Sequence, residues 1–505
     1  MPELEQKTSQ RLKPSVFREA YPIEEPFVYA AVIRDPKTQK IRYEIIEPTL
    51  LPEEEEQLKE IKSLLREELD VTPKELETHE RAIEFLRTKV TELVKNYHLK
   101  IAEEAIDKLL YYIIRDFLGY AKIDPLMKDH MIEDISADGV GIPLYVWHRE
   151  YESLPTNVVF KEENELNSFI IRLAYLAKKN ISIASPILDA SLPDGSRIQL
   201  TYGSEITRRG STFTIRRFRF DPLTISDLLT FNTLSSEIAA YFWYIIENRA
   251  SVLVAGGVAA GKTSTLNCLS MFIKPELKIV SVEDTAELNL PHENWIPSVV
   301  RAGYGFEESV DAITLFDLLK AAVRQRPDFI IVGEVRGEEA YTLFQAMATG
   351  HLGMSTIHAE SVDSVLHRME SEPMNIPRSL LATIDVIMVQ IRTEINGKPA
   401  RRAFTIAEMI GLDNITKDFK INQVFQWNAK NDSFAYSGYS HILERNMKKF
   451  GIEESEVRKE ILSRKAVLEW MAKNNIRRYD EVANIIREFY ADPARVCRKA
   501  RVGKT

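Results

Sequence analysis

The stretch that decides the fold is Ser251–Ser264, which reads SVLVAGGVAAGKTS. Its first five residues are mostly apolar and typical of a buried strand, and the residues after Lys262 predict a helix. Between them, residues 256–263 match G-x-x-x-x-G-K-T, the phosphate-binding loop that joins a strand to a helix. A chance glycine-rich loop is the alternative, and the predicted strand and helix on either side disfavour it.

Each part of this loop has a physical purpose. Glycines let successive backbone N–H groups converge on phosphate oxygens, and the helix N-terminus adds positive potential. The Lys262 ammonium neutralises charge on the β- and γ-phosphates, and the Thr263 hydroxyl is a ligand for Mg²⁺. We therefore predict ATP and Mg²⁺ as cofactors. The residues predicted to bind the nucleotide are Gly256, Gly257, Val258, Ala259, Ala260, Gly261, Lys262, Thr263 and Ser264.

A second apolar strand, at 329–332, ends in Gly333 and Glu334. A carboxylate at the tip of a strand within reach of a phosphate-binding loop can orient the attacking water or a magnesium-bound water. Glu334 is therefore predicted to be catalytic and to contact Mg²⁺ or its water, although the usual pattern ends in Asp. The structural alternative is that Glu334 only forms an ion pair with Arg336.

A third strand, at 279–282, leads directly into Glu283, Asp284 and, three residues later, Glu287. Carboxylates at the C-terminal ends of strands lie where α/β sheets bind ligands. We predict that Glu283 supports magnesium or water, and a purely structural carboxylate remains the alternative.

Two histidines, His351 and His358, lie seven residues apart around a β-like run. A single histidine is usually a satisfied core or surface residue, but a histidine after the strand that carries Glu334 can contact phosphate. We predict that His358 senses the γ-phosphate. Zinc binding is disfavoured because the sequence has no H-E-x-x-H pattern and no cysteine nearby.

Composition limits the classes of protein that fit. The chain has 505 residues, and its 66 Lys and Arg against 75 Asp and Glu give a net charge of −9, which offers no reason to expect nucleic acid as the main partner. Two cysteines are too few for a disulfide framework. No apolar run approaches the roughly 20 residues of a membrane-spanning helix, and the N-terminus has no apolar signal-peptide core. We therefore expect a cytoplasmic protein.

Changes of pattern along the chain predict six parts. Residues 27–33 and 41–46 are β-rich and predict a hairpin, and apolar spacings of three and four follow in the next segment. Residues 53–84 are strongly acidic, which indicates a solvated helix face or a docking surface for a basic partner. The six parts are a flexible leader (1–26), a hairpin plus acidic helical domain (27–120), an α+β core domain (121–221), a hinge linker (222–232), the P-loop core (233–400) and a C-terminal β and helical extension (401–505).

Four sequence blocks resemble, in the same order, the type II/type IV secretion ATPase superfamily, whose members power pilus, archaellum and secretion assembly. They correspond to that family's Walker A, Asp box, Walker B and His box, and the core resemblance spans about residues 222–395. The blocks lie at 256–263, 282–284, 326–336 and 349–358.

Motifs near the C-terminus resemble the archaeal branch of that family, which includes archaellum and pilus ATPases. They lie at 408–413, 424–427 and 434–438. One departure is Ala260, where many relatives have Ser. A side-chain hydroxyl contact to phosphate is lost there, but the backbone cradle remains.

The resemblance implies an α/β fold with a RecA-like P-loop NTPase C-terminal core, an α+β (PAS-like) N-terminal core domain and a helical N-terminal extension. It also implies a homo-hexameric ring with nucleotide between the two core domains.

The resemblance further implies that N-terminal arginines complete the phosphate site, and the matching positions are Arg197 and Arg217. Arg216 and Arg217 are adjacent on a predicted strand and should point to opposite faces, so we favour Arg217 at the nucleotide. A surface salt bridge is the alternative for each. Second-rank candidates, better explained as subunit or domain contacts, are Arg324, Arg326 and Arg336.

The resulting expectation is a Mg-dependent ATPase whose core domains move about the linker. Their motion would push on a polytopic membrane platform protein to assemble or rotate a type IV pilus-like filament. Such a protein is cytoplasmic and peripheral at the inner face of the cell membrane, with no sequence-specific nucleic acid partner. The alternatives are a type IV secretion traffic ATPase, a nucleic-acid translocase and a non-hydrolysing scaffold, and the presence of Glu334 disfavours the last.

Overall fold

The computed structural model describes residues 17–34, 39–68, 78–218, 221–301, 312–395 and 397–502. These residues form two compact units, an N-terminal unit that ends at Phe218 and a C-terminal unit that contains the rest. Within the described ranges, no helix combines the length and apolar character needed to cross a lipid bilayer.

The described residues of the N-terminal unit form a nine-stranded sheet with the order β1-β2-β3-β6-β5-β4-β9-β8-β7. Neighbouring strands are antiparallel except at the β3–β6 junction. The strands are β1 Phe17–Glu24, β2 Val28–Arg34, β3 Ile41–Ile46, β4 Ile132–Ala137, β5 Pro143–His148, β6 Glu152–Val159, β7 Ile187–Ser191, β8 Arg197–Thr201 and β9 Thr212–Arg216. The helices are α1 Pro52–Glu68, α2 His79–Asn96, α3 Glu103–Phe117, α4 Asp124–Lys128 and α5 Glu163–Leu176.

The predicted hairpin and acidic helices are present. β2 and β3 pair antiparallel, and the turn that we predicted at 35–38 lies outside the described residues. Helices α1, α2 and α3 share an apolar core that includes Ile61, Leu93 and Ile113. The three-and-four spacing of these apolar residues places them on one face of each helix, which explains why the helices associate.

The predicted flexible leader is wrong for residues 17–24, and residues 1–16 lie outside the described part of the chain. Residues 17–24 form β1, which pairs antiparallel with β2. Tyr21 and Ile23 alternate along the strand and pack against the apolar core of the unit. Pro22 suggested an extended leader, but a proline is tolerated here because β1 is an edge strand.

In the C-terminal unit, the residues that the structure describes form a second nine-stranded sheet with the order β12-β11-β13-β14-β10-β15-β16-β17-β18. The first six strands in this order are parallel and the last three continue it antiparallel. The strands are β10 Val252–Gly256, β11 Ile279–Glu283, β12 Trp295–Val299, β13 Phe329–Val332, β14 Leu352–His358, β15 Val386–Ile395, β16 Lys398–Leu412, β17 Phe419–Asn428 and β18 Ser433–Tyr436. This parallel core with its phosphate-binding loop is RecA-like, and the predicted α/β fold class is confirmed.

Helices cover the faces of this sheet. In chain order they are α6 Ile225–Thr230, α7 Ser236–Glu247, α8 Lys262–Ser270, α9 Leu315–Arg324, α10 Glu339–Ala348, α11 Val362–Glu370, α12 Arg378–Leu381, α13 His441–Phe450, α14 Glu454–Lys473, α15 Tyr479–Ala491 and α16 Pro493–Val502.

The structure differs from the predicted hinge linker at 222–232, because α6 lies inside this segment. The helix starts where the Asp227 carboxylate accepts a hydrogen bond from the Thr224 backbone N–H at 2.9 Å, which satisfies one of the free donors at a helix start. Ile225 and Leu228 are buried in the core of the C-terminal unit. This segment is therefore anchored to the core of the C-terminal unit, and we do not propose it as a hinge.

The predicted boundary at 400/401 falls within β16, which pairs with β15 from Lys398 to Glu408. The C-terminal helices are equally integrated. Arg464 on α14 is buried between Glu247 and the ring of Trp243, and the Trp243 indole N–H donates to the Tyr490 hydroxyl at 2.9 Å. The region after residue 400 is thus part of one core with the parallel sheet.

Candidate active site

The phosphate-binding loop connects β10 to α8 in the predicted strand–loop–helix order. Ala259 and Gly261 have left-handed backbone angles, with φ of 56° and 88°, and the helix begins at Lys262. A Cβ atom at Gly256 would collide with the backbone oxygen of Gln390 on the neighbouring strand β15. Glycine is therefore required at this position for the loop to lie against the sheet.

Lys262 is buried and its ammonium points back into the loop. Its Nζ donates to the backbone oxygen of Gly257 at 2.9 Å and lies 3.4 Å from Nε2 of His358. Burial lowers the pKa of Lys262, and the negative charge of Glu334 opposes that shift. The amine is thus held at the loop where a triphosphate would be bound.

Glu334 and His358 lie together at the carboxyl edge of the sheet. They follow or end the neighbouring parallel strands β13 and β14, and Nε2 of His358 is 3.5 Å from Oε1 of Glu334. Burial lowers the pKa of His358, the Lys262 charge lowers it further, and the Glu334 charge raises it. Lys262, His358 and Glu334 therefore form a continuous polar chain beside the phosphate-binding loop, which we call the Lys–His–Glu chain.

The alternative for Glu334 was an ion pair with Arg336, and the structure pairs each of these residues differently. The guanidinium of Arg336 forms its ion pair with Asp284, the residue that follows β11. Glu334 instead faces His358, with roughly a third of its side chain exposed. The ion pair joins the loops after β11 and β13 and leaves Glu334 directed to the candidate site.

Glu283 ends β11 and is buried at the same edge of the sheet. Its Oε1 accepts hydrogen bonds from the backbone N–H groups of Glu287 and Leu288, both at 3.0 Å, whereas Oε2 has no hydrogen-bond partner among the described residues. Burial raises the pKa of this carboxyl to about 7. A carboxyl with such a pKa can gain or lose a proton near neutral pH, which is a property of catalytic acids and bases.

The loop that carries Glu334 is fixed to neighbouring elements. The Thr356 hydroxyl donates to the backbone oxygen of Gly333 at 2.7 Å, and the Val335 N–H donates to the backbone oxygen of Thr356 at 2.9 Å. The Glu339 carboxylate accepts from the backbone N–H groups that follow Val335, at 2.7 and 2.8 Å. These bonds pre-organise Glu334 on a rigid support.

The two histidines separate in the structure, because the seven residues of β14 place them at opposite ends of the strand. His358 is in the Lys–His–Glu chain. His351 lies beside the end of α10, with its Nδ1 3.2 Å from the backbone oxygen of Ala346. Only His358 is in the candidate site.

Two residues of the site were missed from the sequence. Gln390 pairs with Gly256 in the β10–β15 register, and its buried Oε1 has no hydrogen-bond partner within the described ranges. Arg401 on β16 donates from Nε to the backbone oxygen of Ala259 at 3.1 Å. Gln390 could have been found, since it is a polar residue directly after the apolar run at 386–389, within β15. Arg401 had no such signal, because only the pairing of β16 with β15 brings it to the loop.

The predicted arginines lie in the N-terminal unit. Arg197 is exposed at the start of β8, and Arg216 is exposed with its Nε 3.6 Å from the Asp134 carboxylate. Arg217 is half-buried, and its Nη1 donates to the backbone oxygens of Asp129 and Ile132, at 2.9 Å for the latter. The role of Arg197 and Arg217 at the nucleotide stays a prediction.

Oxygen donors at this edge suit Mg²⁺. Thr263 lies in the first turn of α8 and is partly exposed, and the Glu283 and Glu334 carboxylates lie at the ends of β11 and β13. Mg²⁺ usually takes one or two protein oxygen ligands and completes its shell with phosphate oxygens and water. Oε2 of Glu283, which has no hydrogen-bond partner in the part of the chain that the structure describes, can accept a donor or bind a cation, so the residues present fit this ion.

Known proteins resemble this chain over most of its length. The family model for type II/IV secretion system proteins matches residues 119–446. An uncharacterized protein of Methanocaldococcus jannaschii is 37% identical over 494 residues, which cover 93% of this chain and 88% of the relative. A putative conjugal transfer protein of Mycobacterium tuberculosis is 32% identical over 249 residues, which cover 47% of this chain and 70% of the relative.

Among solved structures, the ATPase DotB of Yersinia pseudotuberculosis aligns with 77% of this chain and 95% of its own, at 18% identity and a TM-score of 0.41. The residues matched by the family model include the phosphate-binding loop, Glu283, Glu334, His358 and both predicted arginines.

Proposed function

The chain belongs to the type II/IV secretion system protein family and is an ATPase, and from this premise we propose that it is the motor subunit of a membrane-associated filament or secretion machine. In this proposal it hydrolyses MgATP as a homo-hexameric ring. The observation that carries the proposal is the Lys–His–Glu chain, in which Nε2 of His358 lies near both Nζ of Lys262 in the phosphate-binding loop and Oε1 of Glu334.

In the proposed reaction, the backbone N–H groups of the loop and Lys262 bind the triphosphate. Thr263 would hold Mg²⁺, and Glu334 would bind the ion or its water. Mg²⁺ neutralises charge on the β- and γ-phosphate oxygens when it is bound. These assignments are supported by the left-handed backbone at Gly261, which lets the loop turn into the N-terminus of α8, and by the position of Lys262 in the loop.

The carboxylates act on water. We assign Glu334 to orienting the attacking water, because its partly exposed carboxylate follows β13 and lies 3.5 Å from Nε2 of His358 beside the phosphate-binding loop. Glu283 supports this water or the metal through Oε2, and its raised pKa lets it exchange a proton. His358 contacts both Lys262 and Glu334, so a change at the γ-phosphate that moves Lys262 also changes the surroundings of Glu334. This is our basis for a sensing role of His358.

Arginines of the N-terminal unit complete the site in this proposal. A guanidinium stabilises negative charge that develops on the γ-phosphoryl group, which gives arginine this role in many nucleotide hydrolases. We favour Arg217 over Arg197, because two backbone carbonyl oxygens already hold the Arg217 guanidinium in a defined place. Cycles of binding and release would then move one core domain against the other.

We propose that this motion acts on a polytopic membrane platform protein and assembles or rotates a type IV pilus-like filament, such as an archaellum, a pilus or a secretion pseudopilus. The protein would work in the cytoplasm, peripheral at the inner face of the membrane, without sequence-specific nucleic acid. The C-terminal motifs at 408–413, 424–427 and 434–438 and the archaeal relative support this branch.

A second candidate is a type IV secretion traffic ATPase that exports protein or DNA. The relative named as a putative conjugal transfer protein favours it. The net charge of −9 argues against direct translocation of nucleic acid by this chain. The two candidates differ in what the ring contacts and in whether DNA changes its rate of hydrolysis.

The test uses the arrested variant Glu334→Gln, which should retain ATP binding and lose hydrolysis. Recovered from detergent-treated membranes with ATP, it should co-purify with a polytopic membrane protein, and DNA should not stimulate the wild-type ATPase. The matched control is Lys262→Ala, which should neither bind nor hydrolyse ATP. A DNA-dependent rise in rate would favour the traffic or translocase function, and a Glu334→Gln variant that only weakens ATP binding would remove the assigned role of this carboxylate.

A further inference from the structure

A buried polar cluster in the N-terminal unit is not used by the proposed chemistry. It consists of Tyr21 on β1, Tyr43 on β3, Asp129 after α4 and His148 at the end of β5, and we call it the Asp129 cluster. Tyr43 and His148 are fully buried, and Asp129 is 1% exposed. A carboxylate at such depth is costly unless hydrogen bonds compensate the loss of water.

Three hydrogen bonds hold the Asp129 carboxylate, and two of them come from residues far away in the chain. The hydroxyls of Tyr21 and Tyr43 both donate to Oδ2 of Asp129, at 2.7 and 2.5 Å. The other carboxylate oxygen, Oδ1, accepts from the backbone N–H of Met131 at 2.8 Å. The carboxylate is thus fixed in one orientation by three donors.

His148 orients one of these tyrosines. Its Nδ1 accepts a hydrogen bond from the backbone N–H of Glu150 at 3.2 Å, so the proton of the neutral ring is on Nε2. Nε2 lies 3.3 Å from the Tyr21 hydroxyl oxygen, to which it donates. Burial lowers the pKa of His148, which favours the neutral ring. The Tyr21 hydroxyl proton is therefore directed to Asp129.

The same turn that Asp129 begins also holds Arg217. The backbone oxygen of Asp129 accepts from the Ile132 N–H at 3.2 Å and from Nη1 of Arg217. The backbone oxygen of Ile132 accepts a second bond from that nitrogen at 2.9 Å. Asp129 thus binds the two tyrosines through its side chain and the arginine through its main chain. A shift of its carboxylate would move the carbonyl groups that hold Arg217.

We propose that Asp129 is a positioning residue for Arg217, set in place by Tyr21 and Tyr43. The inference rests on the proposed role of Arg217 at the γ-phosphate. It also gives β1 and β3 a function, because these two strands supply the hydroxyls that fix the turn. The N-terminal strands are in this way coupled to the arginine that completes the site.

The experiment compares steady-state ATP hydrolysis of the full-length variants Tyr21→Phe, Tyr43→Phe and Asp129→Asn. Each should lower kcat by roughly 10-fold to 100-fold, as expected when a reacting group is displaced by about 1 Å, and leave the KM for ATP unchanged. The matched control is Tyr112→Phe, which removes a hydroxyl that donates to the Pro48 backbone oxygen in the same unit. This control should keep the wild-type kcat. Tyr21 is only partly buried, so Tyr21→Phe remains informative if the other variants fail to fold.

Combination with Arg217→Ala separates this inference from the proposed function. If Asp129 acts through the arginine, Tyr43→Phe should have no further effect on kcat in the Arg217→Ala background. Multiplied losses would overturn the positioning role, as would a Tyr43→Phe variant with wild-type kcat beside an impaired Arg217→Ala variant. If Arg217→Ala itself has wild-type kcat, the role of the arginine in the proposed function fails instead.

Discussion

Nζ of Lys262 and Nε2 of His358 lie 3.4 Å apart, although 96 residues separate them in the chain. Two protonated nitrogens at this distance repel each other, so the arrangement favours a neutral imidazole beside the lysine. The lowered pKa of His358 agrees with this. The neutral ring can then accept a hydrogen bond from the Lys262 ammonium. The positive charge stays on Lys262, where it can bind phosphate.

His358→Gln should lower kcat roughly 10-fold or more, since it breaks a pre-organised contact beside the reacting phosphate. The matched control is His351→Gln just before the other end of the same strand, where the imidazole lies beside the end of α10. Steady-state kinetics with both variants checks the prediction. Equal activity of the two variants would contradict a role for His358.

Glu283→Gln should change the pH dependence of stability. The folded-state pKa of about 7 lies above the ordinary value of 4.5, so the folded protein keeps a proton that the unfolded chain releases. The free energy of unfolding of the wild type should therefore fall as pH rises from 4.5 to 7 and then stay level, whereas Glu283→Gln should lack this dependence. Each pKa unit corresponds to about 1.4 kcal/mol, so the variant should be more stable than the wild type by about 1–3 kcal/mol at pH 8.

Urea unfolding at pH 5 and pH 8 measures this difference. Glu287→Gln is the control, because its side chain is close to the same site and its main chain bonds to Glu283 in either case. A wild-type protein that gains stability between these two pH values relative to Glu283→Gln would contradict the buried, proton-retaining carboxyl. Glu283→Gln should also hydrolyse ATP more slowly than the wild type.

Arg401→Ala should weaken ATP binding. It removes a hydrogen bond to the Ala259 carbonyl, at a position where the loop has a left-handed backbone. One such bond contributes about 1 kcal/mol, which corresponds to a KM for ATP raised by roughly 5-fold with little change in kcat. Lys398→Ala, an exposed change at the start of the same strand, is the control. A reduced kcat at unchanged KM would assign Arg401 to the chemical step instead.

Glu408→Ala should destabilise the C-terminal unit. This buried carboxylate accepts from the Tyr241 hydroxyl at 2.7 Å and from the His441 backbone N–H at 2.7 Å, so it joins α7 to the start of α13. Leaving these buried donors without an acceptor should cost about 2–4 kcal/mol in the free energy of unfolding. Glu454→Ala, at the first turn of α14 and outside this network, should cost much less, and chemical denaturation compares the two.

The sequence predicted the part of the site that local pattern determines. Glu283, Glu334 and His358 each end or follow an apolar strand, and parallel neighbours place such ends at one edge of a sheet. What the sequence could not supply depends on pairing between distant segments. Arg401 reaches the loop only through the register of β16, and β1 was missed because Pro22 concealed the alternation of Tyr21 and Ile23.

The antiparallel strands that continue the parallel sheet have a practical consequence. A shortened chain that stops near residue 395 would keep every recognisable nucleotide-binding motif and still lose the guanidinium that braces Ala259. Removal of the same stretch would also remove the Glu408 carboxylate, which accepts the hydrogen bond of the Tyr241 hydroxyl. Fragments chosen by motif alone should therefore be poor substitutes for the intact enzyme.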